Sequence, residues 1–326
     1  MKTILFLTVA VLFSVQLNAQ KSSNISELLK RGTLPQNLEL NDELQEYVVT
    51  TDHFNSDIFG NFINKMRVKG KYTRGLENGK VKWNNVTIAM VMQREDDFPA
   101  GTGLKYMEDY SYVPSADMLN NENFTGFEEH SAYAKNLIWD MMGIEGFAWA
   151  CFEKLELNKP YSAKSFNGKM DLAGQGFFEN RDVILTWVGV TMLNDEPCAA
   201  IQYHTMSNPV EYKEESMSMK GRSHYWGTIW VSLKDKQIEY AKMFEDVTAE
   251  MQFAGQTGGQ IMNITREINF EKQIDNQETD NLLELEPWMT NEKFFTVNYP
   301  IEKETVAALQ LEDWIKKMKV TSKLQN

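Results

Sequence analysis

Four histidines, two cysteines and two carboxylates in apolar company are the residues of this 326-residue chain whose types could carry chemistry. The histidines are His53, His130, His204 and His224. Asp52-His53 and Glu129-His130 set carboxylates beside imidazoles, but sequence neighbours point apart on a strand and about 100° apart on a helix. No two histidines have the spacing of a metal pair, so no metal site is expected. His204 and His224 fall on strand-like runs that can lie near each other. Glu145, in Met-Met-Gly-Ile-Glu-Gly-Phe-Ala-Trp-Ala, would have a raised pKa if buried, as suits a general acid, and Asp140 could pair with it. The plainer alternative is a solvated carboxylate at a helix start after Gly143. A nucleophile elbow, a Walker loop, a dinucleotide fingerprint and a zinc motif are all absent. No catalytic residue and no cofactor are therefore assigned.

The most distinctive stretch is Ser223-His-Tyr-Trp-Gly-Thr-Ile-Trp-Val-Ser-Leu233. On a strand, His224, Trp226, Thr228, Trp230 and Ser232 share one face and Tyr225, Gly227, Ile229, Val231 and Leu233 the other. The first face could line a pocket with indole walls and polar tips. His224, Trp226, Trp230 and His204 are the candidate ligand-binding residues. Strands favour aromatics anyway, so a covered sheet edge is the alternative. Gly227 would let another backbone or a bulky neighbour come close. Lys65, Arg67, Lys69 and Lys71 form a cationic strip, continued by Lys80 and Lys82. It suits anionic head groups or polysaccharide, or simply a solvated sheet face. Cys151 and Cys198 can form one disulfide, or stay as two buried thiols.

Elements must position these groups. Lys65 to Tyr72 alternates strictly, which predicts a half-buried strand. Asn78-Gly79 turns it back into Val81 to Gln93. Glu128 to Met142 changes to helical spacing, with Gly143 as its stop, and Ile144 to Leu155 reads as a second helix. A meander follows: Val183 to Leu193 as a central strand, Cys198 to Met206, Tyr212 to Lys220 paired with His224 to Leu233, Ile238 to Phe253, and Gln260 to Phe270. In Ile238 to Phe253, Tyr240, Phe244, Val247 and Met251 would also suit a helix, and the flanking strands decide for a strand. A short helix over Asn24 to Arg31 precedes a polar, irregular segment, and Glu302 to Lys319 reads as a closing helix. Residues 1–19 read as a signal peptide. Lys2 supplies the charge, Ile4 to Val15 the apolar run, and Ala19 the cleavage position. That run is too short to span a bilayer, and no later stretch is long and apolar enough to do so. Residues 20–326 read as a single β-rich domain, exported to the periplasm or beyond. With 33 Lys+Arg against 46 Asp+Glu, the net charge is −13, which argues against nucleic-acid binding.

The order is signal peptide, short helix, basic hairpin, helical insert and antiparallel meander with Gly-Thr-Ile-Trp-Val-Ser-Leu-Lys-Asp-Lys-Gln-Ile-Glu-Tyr. It resembles exported bacterial proteins of the lipoprotein-carrier superfamily. The likeness runs over about Glu46 to Phe270 and lies in architecture. It carries no diagnostic residue, so no site is transferred. It implies an α+β fold, mostly antiparallel, with a curved, incompletely closed sheet or half-barrel and a few helices around an apolar cavity. The expected function is non-enzymatic: to hold an apolar or lipidic ligand or to dock an envelope protein. An envelope hydrolase working through carboxylates or histidines, and a structural surface protein, are the alternatives.

Overall fold

A computed structural model describes residues 25–273, apart from residues 129, 194–195, 216 and 256. The expected signal peptide and closing helix lie outside the described residues. Thirteen antiparallel strands form one sheet that does not close into a barrel, in the order β4-β3-β2-β1-β13-β12-β11-β10-β8-β7. The long members are β1 (Gln45–Asp57), β2 (Phe62–Arg74), β3 (Val81–Val91), β10 (Glu196–Lys213), β11 (Met217–Ser232), β12 (Ile238–Phe253) and β13 (Gln260–Lys272). β9 (Ile184–Leu193) and β8 (Gly176–Asn180) pair successive stretches of the same side of β10. The ends of the path are short: β4 is Thr102–Gly103 and β7 is Gly168–Asp171. β5 (Tyr110–Tyr112) pairs β3, and β6 (Tyr161–Ser162) pairs β9.

Helix α1 covers residues 25–31, and α2 is Ser131–Trp149. The buried stripe of α2 includes Ala134, Leu137, Ile138, Met141, Ile144 and Phe147. That spacing of three and four is what holds a helix against a core. α2 touches β2 through Glu145 and Tyr72, β13 through Asp140 and Arg266, and β10 and β11 through Phe147 against Tyr203 and Tyr225. From β2 to β10 is a width of five strand spacings, about 24 Å, whereas a helix is only about 10 Å across. One helix can meet both ends of that span only if the sheet curves around it. Among the described residues, no helix is long and apolar enough to cross a membrane.

Several expectations need correction. Gly143 does not stop the helix, which continues through Gly146 to Trp149. A glycine costs about 1 kcal/mol in a helix. Burial of Ile144, Phe147 and Ala148 outweighs that, at about 1.5–3 kcal/mol for a fully buried large side chain. Gly146 also lets the Phe166 ring approach, since a Cβ there would lie 3.0 Å from it. The segment read as irregular contains β1, whose inner face turns polar at Thr51, His53 and Asn55 and so hides its alternation. Tyr212 to Lys220 is not a strand: β10 runs on to Lys213, and β11 starts only at Met217. Pro209 lies within β10, just past a bulge, where the partner on one side changes from β9 to β8. A proline costs no ladder bond in that gap. β9 is not central, because on its other side it meets the two-residue β6 and a single bridge from Leu157 to Trp187 in place of a full strand. The strand reading of Ile238 to Phe253 coincides with β12.

Cys151 and Cys198 are both buried free thiols. Cys198 Sγ lies 3.5 Å from the Glu196 carbonyl oxygen, and burial pushes its thiol pKa up. Of the two alternatives read from the sequence, the structure has the thiols. Titration of the denatured, unreduced protein should therefore find two reactive groups per chain; none would restore the bridge.

Candidate functional site

The inner face of the sheet, which meets α2, is divided by a belt of polar side chains. On β1 the belt residue is His53, on β13 Arg266, on β12 Glu245, on β11 Ser223 and on β10 Asn208; these are five adjacent strands. His53 stands opposite Arg266, and Arg266 opposite Glu245. Arg266 makes ion pairs with Glu245 and, from α2, with Asp140. Ser223 Oγ donates to Glu245 at 2.5 Å, and Asn208 Nδ2 donates to the Ser223 carbonyl at 3.2 Å. Arg181 N–H donates to Asn208 Oδ1 at 2.9 Å. Tyr133 of α2 packs edge-on against His53, ring centres 5.1 Å apart.

Burial governs the electrostatics of the belt. It lifts the Asp140 carboxyl to about 6 against the pull of Arg266. Arg266 is itself disfavoured by burial, but Asp140 and Glu245 outweigh that and hold it charged. Burial, aided by the Arg266 charge, drops His53 well below its ordinary 6.5, so it is neutral in the fold. Once unfolded, it takes up a proton below 6.5. The unfolded state therefore binds more protons there, and His53 subtracts stability as pH falls. A single site of this kind contributes up to about 1.4 kcal/mol per pH unit. His53→Phe should accordingly lose less stability than the parent between pH 7 and pH 5, by up to about 2 kcal/mol in urea titrations. Equal losses would place His53 outside the belt.

Above the belt lies the main core around α2, including Ile268, Phe270, Met243, Tyr225, Tyr203 and Val49. Below it lies a second apolar cluster, with Met262, Val247, Ala249, Met251, Val210 and Tyr212 buried. Met217, Met219, Phe253, Ile63 and Ile264 are partly buried against it, and α2 contributes only Ala132 and Trp139. The lengths explain this division. α2, with 19 residues, is about 28 Å long, whereas β10, with 18, approaches 60 Å. The strands overrun the N-terminal end of the helix, and the second cluster lines the overrun. Methionine is unbranched and polarizable, so it adapts to irregular apolar shapes. The result is a second apolar compartment of the core, packed and buried at its centre, incompletely buried at its margin, and set apart from the main core by a charged, hydrogen-bonded layer.

The residues singled out from sequence lie elsewhere. Tyr225 and Ile229 face α2, so by alternation His224, Trp226 and Trp230 face the opposite side of the sheet. Trp226 is 39 % exposed and stacks on Phe244 at 5.8 Å. Trp230 is buried, with Tyr240 at 5.2 Å. His204 is exposed opposite Trp226. His224 Nδ1 accepts from Ser207 N–H at 2.9 Å, closing the β10 bulge. Among the described residues no cluster could hold a metal ion. Glu145 meets Tyr72 at 2.9 Å and Arg74 at 3.4 Å, and burial raises it to about 6 despite both. It does not pair with Asp140, which is engaged by Arg266. Three of the six cations of the strip are compensated: Arg67 by Asp52 (2.6 Å), Lys71 by Glu46 (2.6 Å) and Lys82 by Asp109 (3.1 Å). Sequence reasoning missed the belt and the second compartment. The signal for the belt was Arg266, alone in the apolar alternation Met262, Ile264, Ile268 and Phe270.

No family model and no curated protein matches the chain. Among solved structures it is similar to one titled "Lipid-protein interactions in lipovitellin", at 10 % identity and a TM-score of 0.36, over 71 % of this chain and 25 % of that one. The chain thus spans about a quarter of the length of that relative. It is also similar to a DUF1329 family protein from Desulfovibrio piger, at 6 % identity and a TM-score of 0.11, over 80 % of this chain and 95 % of that one. Both scores fall below 0.5.

Proposed function

We propose that the protein is an exported, non-enzymatic binder of an apolar, lipid-like ligand, held in the second compartment. The observation that carries this is the incompletely buried methionine and phenylalanine margin of the second cluster, beside the N-terminal turns of α2 and cut off from the main core by the charged belt. An acyl chain there would exchange water for Met217, Met219 and Phe253, at about 25 cal/mol for each Å² of apolar surface removed from water. The belt would stop the chain from threading into the core, since entry would separate buried ion pairs.

The test is binding of a fluorescent fatty-acid analogue. Met219→Lys places an ammonium group in the lining and should weaken binding at least tenfold, with a small change in melting because Met219 is only partly buried. Trp226→Ala, on the other face, should leave affinity unchanged. The opposite result, with Trp226 needed and Met219 dispensable, would move the site to the outer ladder of His204, His224 and Trp226. That ladder supports the second reading, an envelope partner, because the Trp226–Phe244 stack stands half open to solvent.

A further inference from the structure

The β1–β2 turn carries Phe59, 82 % exposed, and Ile58, 52 % exposed. It is not a loose tip. Asp57 Oδ1 accepts from Phe59 N–H at 2.8 Å and Asn61 N–H at 2.9 Å, and Oδ2 accepts from Asn61 Nδ2 at 2.7 Å. Asp57 N–H donates to the Asn61 carbonyl at 3.0 Å, and Gly60 takes the positive φ of 83° that the turn requires. Four hydrogen bonds thus hold an aromatic ring out in solvent. Asp57 stands opposite Met262, so Ile261, 50 % exposed, lies at the neighbouring strand end. Met92, 61 % exposed, follows β3 at this same end, where Val91 pairs with Lys65. It is also the end at which Met217 pairs with Phe253, the open side of the second compartment.

We infer that this end of the sheet docks on a lipid surface, with Phe59 and Ile58 inserted among the head groups. The inference rests on the lipid-binding reading for its purpose, while its geometry is separate. Two observations favour a bilayer over another protein, and a third selects its charge. The apolar groups sit at a turn apex and strand ends rather than on a flat patch. The apex is already ordered, so insertion loses little conformational freedom. Exposed Glu95, Asp96 and Asp97 lie beyond Met92 at the same end, on a chain of net charge −13. The surface it fits is therefore neutral or zwitterionic, entered by apolar insertion rather than by attraction to anionic lipid.

The experiment is flotation with phosphatidylcholine vesicles, using the full chain and the chain begun at Gln20, so that the run Ile4–Val15 is not the source of binding. Both forms should float. Ile58→Ser with Phe59→Ser should lower partition by tenfold or more, whereas Leu44→Ser, equally exposed but at the opposite strand end, should not. Phe59→Trp should bind as well as the parent and blue-shift its emission on vesicles. Adding phosphatidylglycerol should bring no gain. Failure of the chain begun at Gln20 to float, equal partition of the double variant, or a stronger response to anionic lipid would each overturn the inference. So would a tip-dependent dimer in sedimentation without flotation, which would assign the tip to a second copy. Fatty-acid loading measured without vesicles separates the two readings: flotation without loading rejects the compartment and leaves the docking end.

Discussion

Replacing Arg266 with leucine is expected to destabilise the protein by about 3–5 kcal/mol at neutral pH. Arg266 holds Asp140 and Glu245 where their side chains are only 11 % and 8 % exposed. Without it two carboxylates are buried side by side with no cation. Attraction within a buried pair seldom exceeds the cost of desolvating it, but an uncompensated buried charge is costly. Two further results follow. Arg266→Leu combined with Asp140→Leu and Glu245→Leu should recover most of the loss, since apolar groups of similar size need no partner. Acidification should also relieve the single variant. Asp140 already titrates near 6 with Arg266 present, and removing the cation raises it further. The folded state then binds a proton that the unfolded state gives up until about pH 4, so stability rises as pH falls through that window. Urea titrations at pH 7 and pH 5 read both effects. A loss below about 1 kcal/mol for the single variant would mean that the carboxylates reach water, because only solvated charges tolerate losing a partner so cheaply.

Gly227→Val is expected to cost about 3 kcal/mol or more, beyond the usual range for an exposed strand glycine. The Tyr203 ring crosses β11 at Gly227 so that its hydroxyl reaches the Lys242 carbonyl at 3.4 Å. A Cβ at position 227 would fall on that carbonyl oxygen and within 2.7 Å of the ring. Overpacking of a core costs about 1–3 kcal/mol when side chains can yield. Here one of the obstacles is backbone of the adjacent strand, which cannot yield without breaking the β11–β12 ladder. Adding Tyr203→Ala should therefore rescue only part of the loss. Full rescue in thermal melts would show that the ring alone was the obstacle.

Gly227 also shows what a single sequence can and cannot disclose. That a bulky neighbour comes close there was legible from the glycine itself; that the neighbour is Tyr203 required the β10–β11 register. The basic hairpin and β13 were readable because they alternate cleanly and are bounded by turn residues, whereas β12, whose apolar positions also fit helical spacing, was assigned only from the strands on either side of it. β1 was not, because the belt replaces its apolar positions with Thr51, His53 and Asn55. The same cause hid the site. Arg266, Glu245, Ser223 and Asn208 belong to four strands, and only their pairing aligns them into one layer. The Met217–Met219 lining was assigned to the wrong strand because the turn between β10 and β11 carries no glycine or proline to announce it. The aromatic ladder was seen as a set, but alternation tells which residues share a face and not which face meets α2.

The pairing of β1 with β13 joins positions more than 200 residues apart, Tyr47 with Lys272 at one end and Asp57 with Met262 at the other. During synthesis, β1 to β3 exist long before β13 does. Until β13 is complete, β1 offers thirteen residues of unpaired edge, in contrast to the two- and four-residue ends of the finished sheet. Long unpaired edges recruit other strands, and closures this distant are slow to find. A nascent chain waiting for β13 is therefore at its most vulnerable just before that strand emerges. Chains cut short of residue 260 should aggregate rather than fold, and a holding chaperone would matter most in that interval.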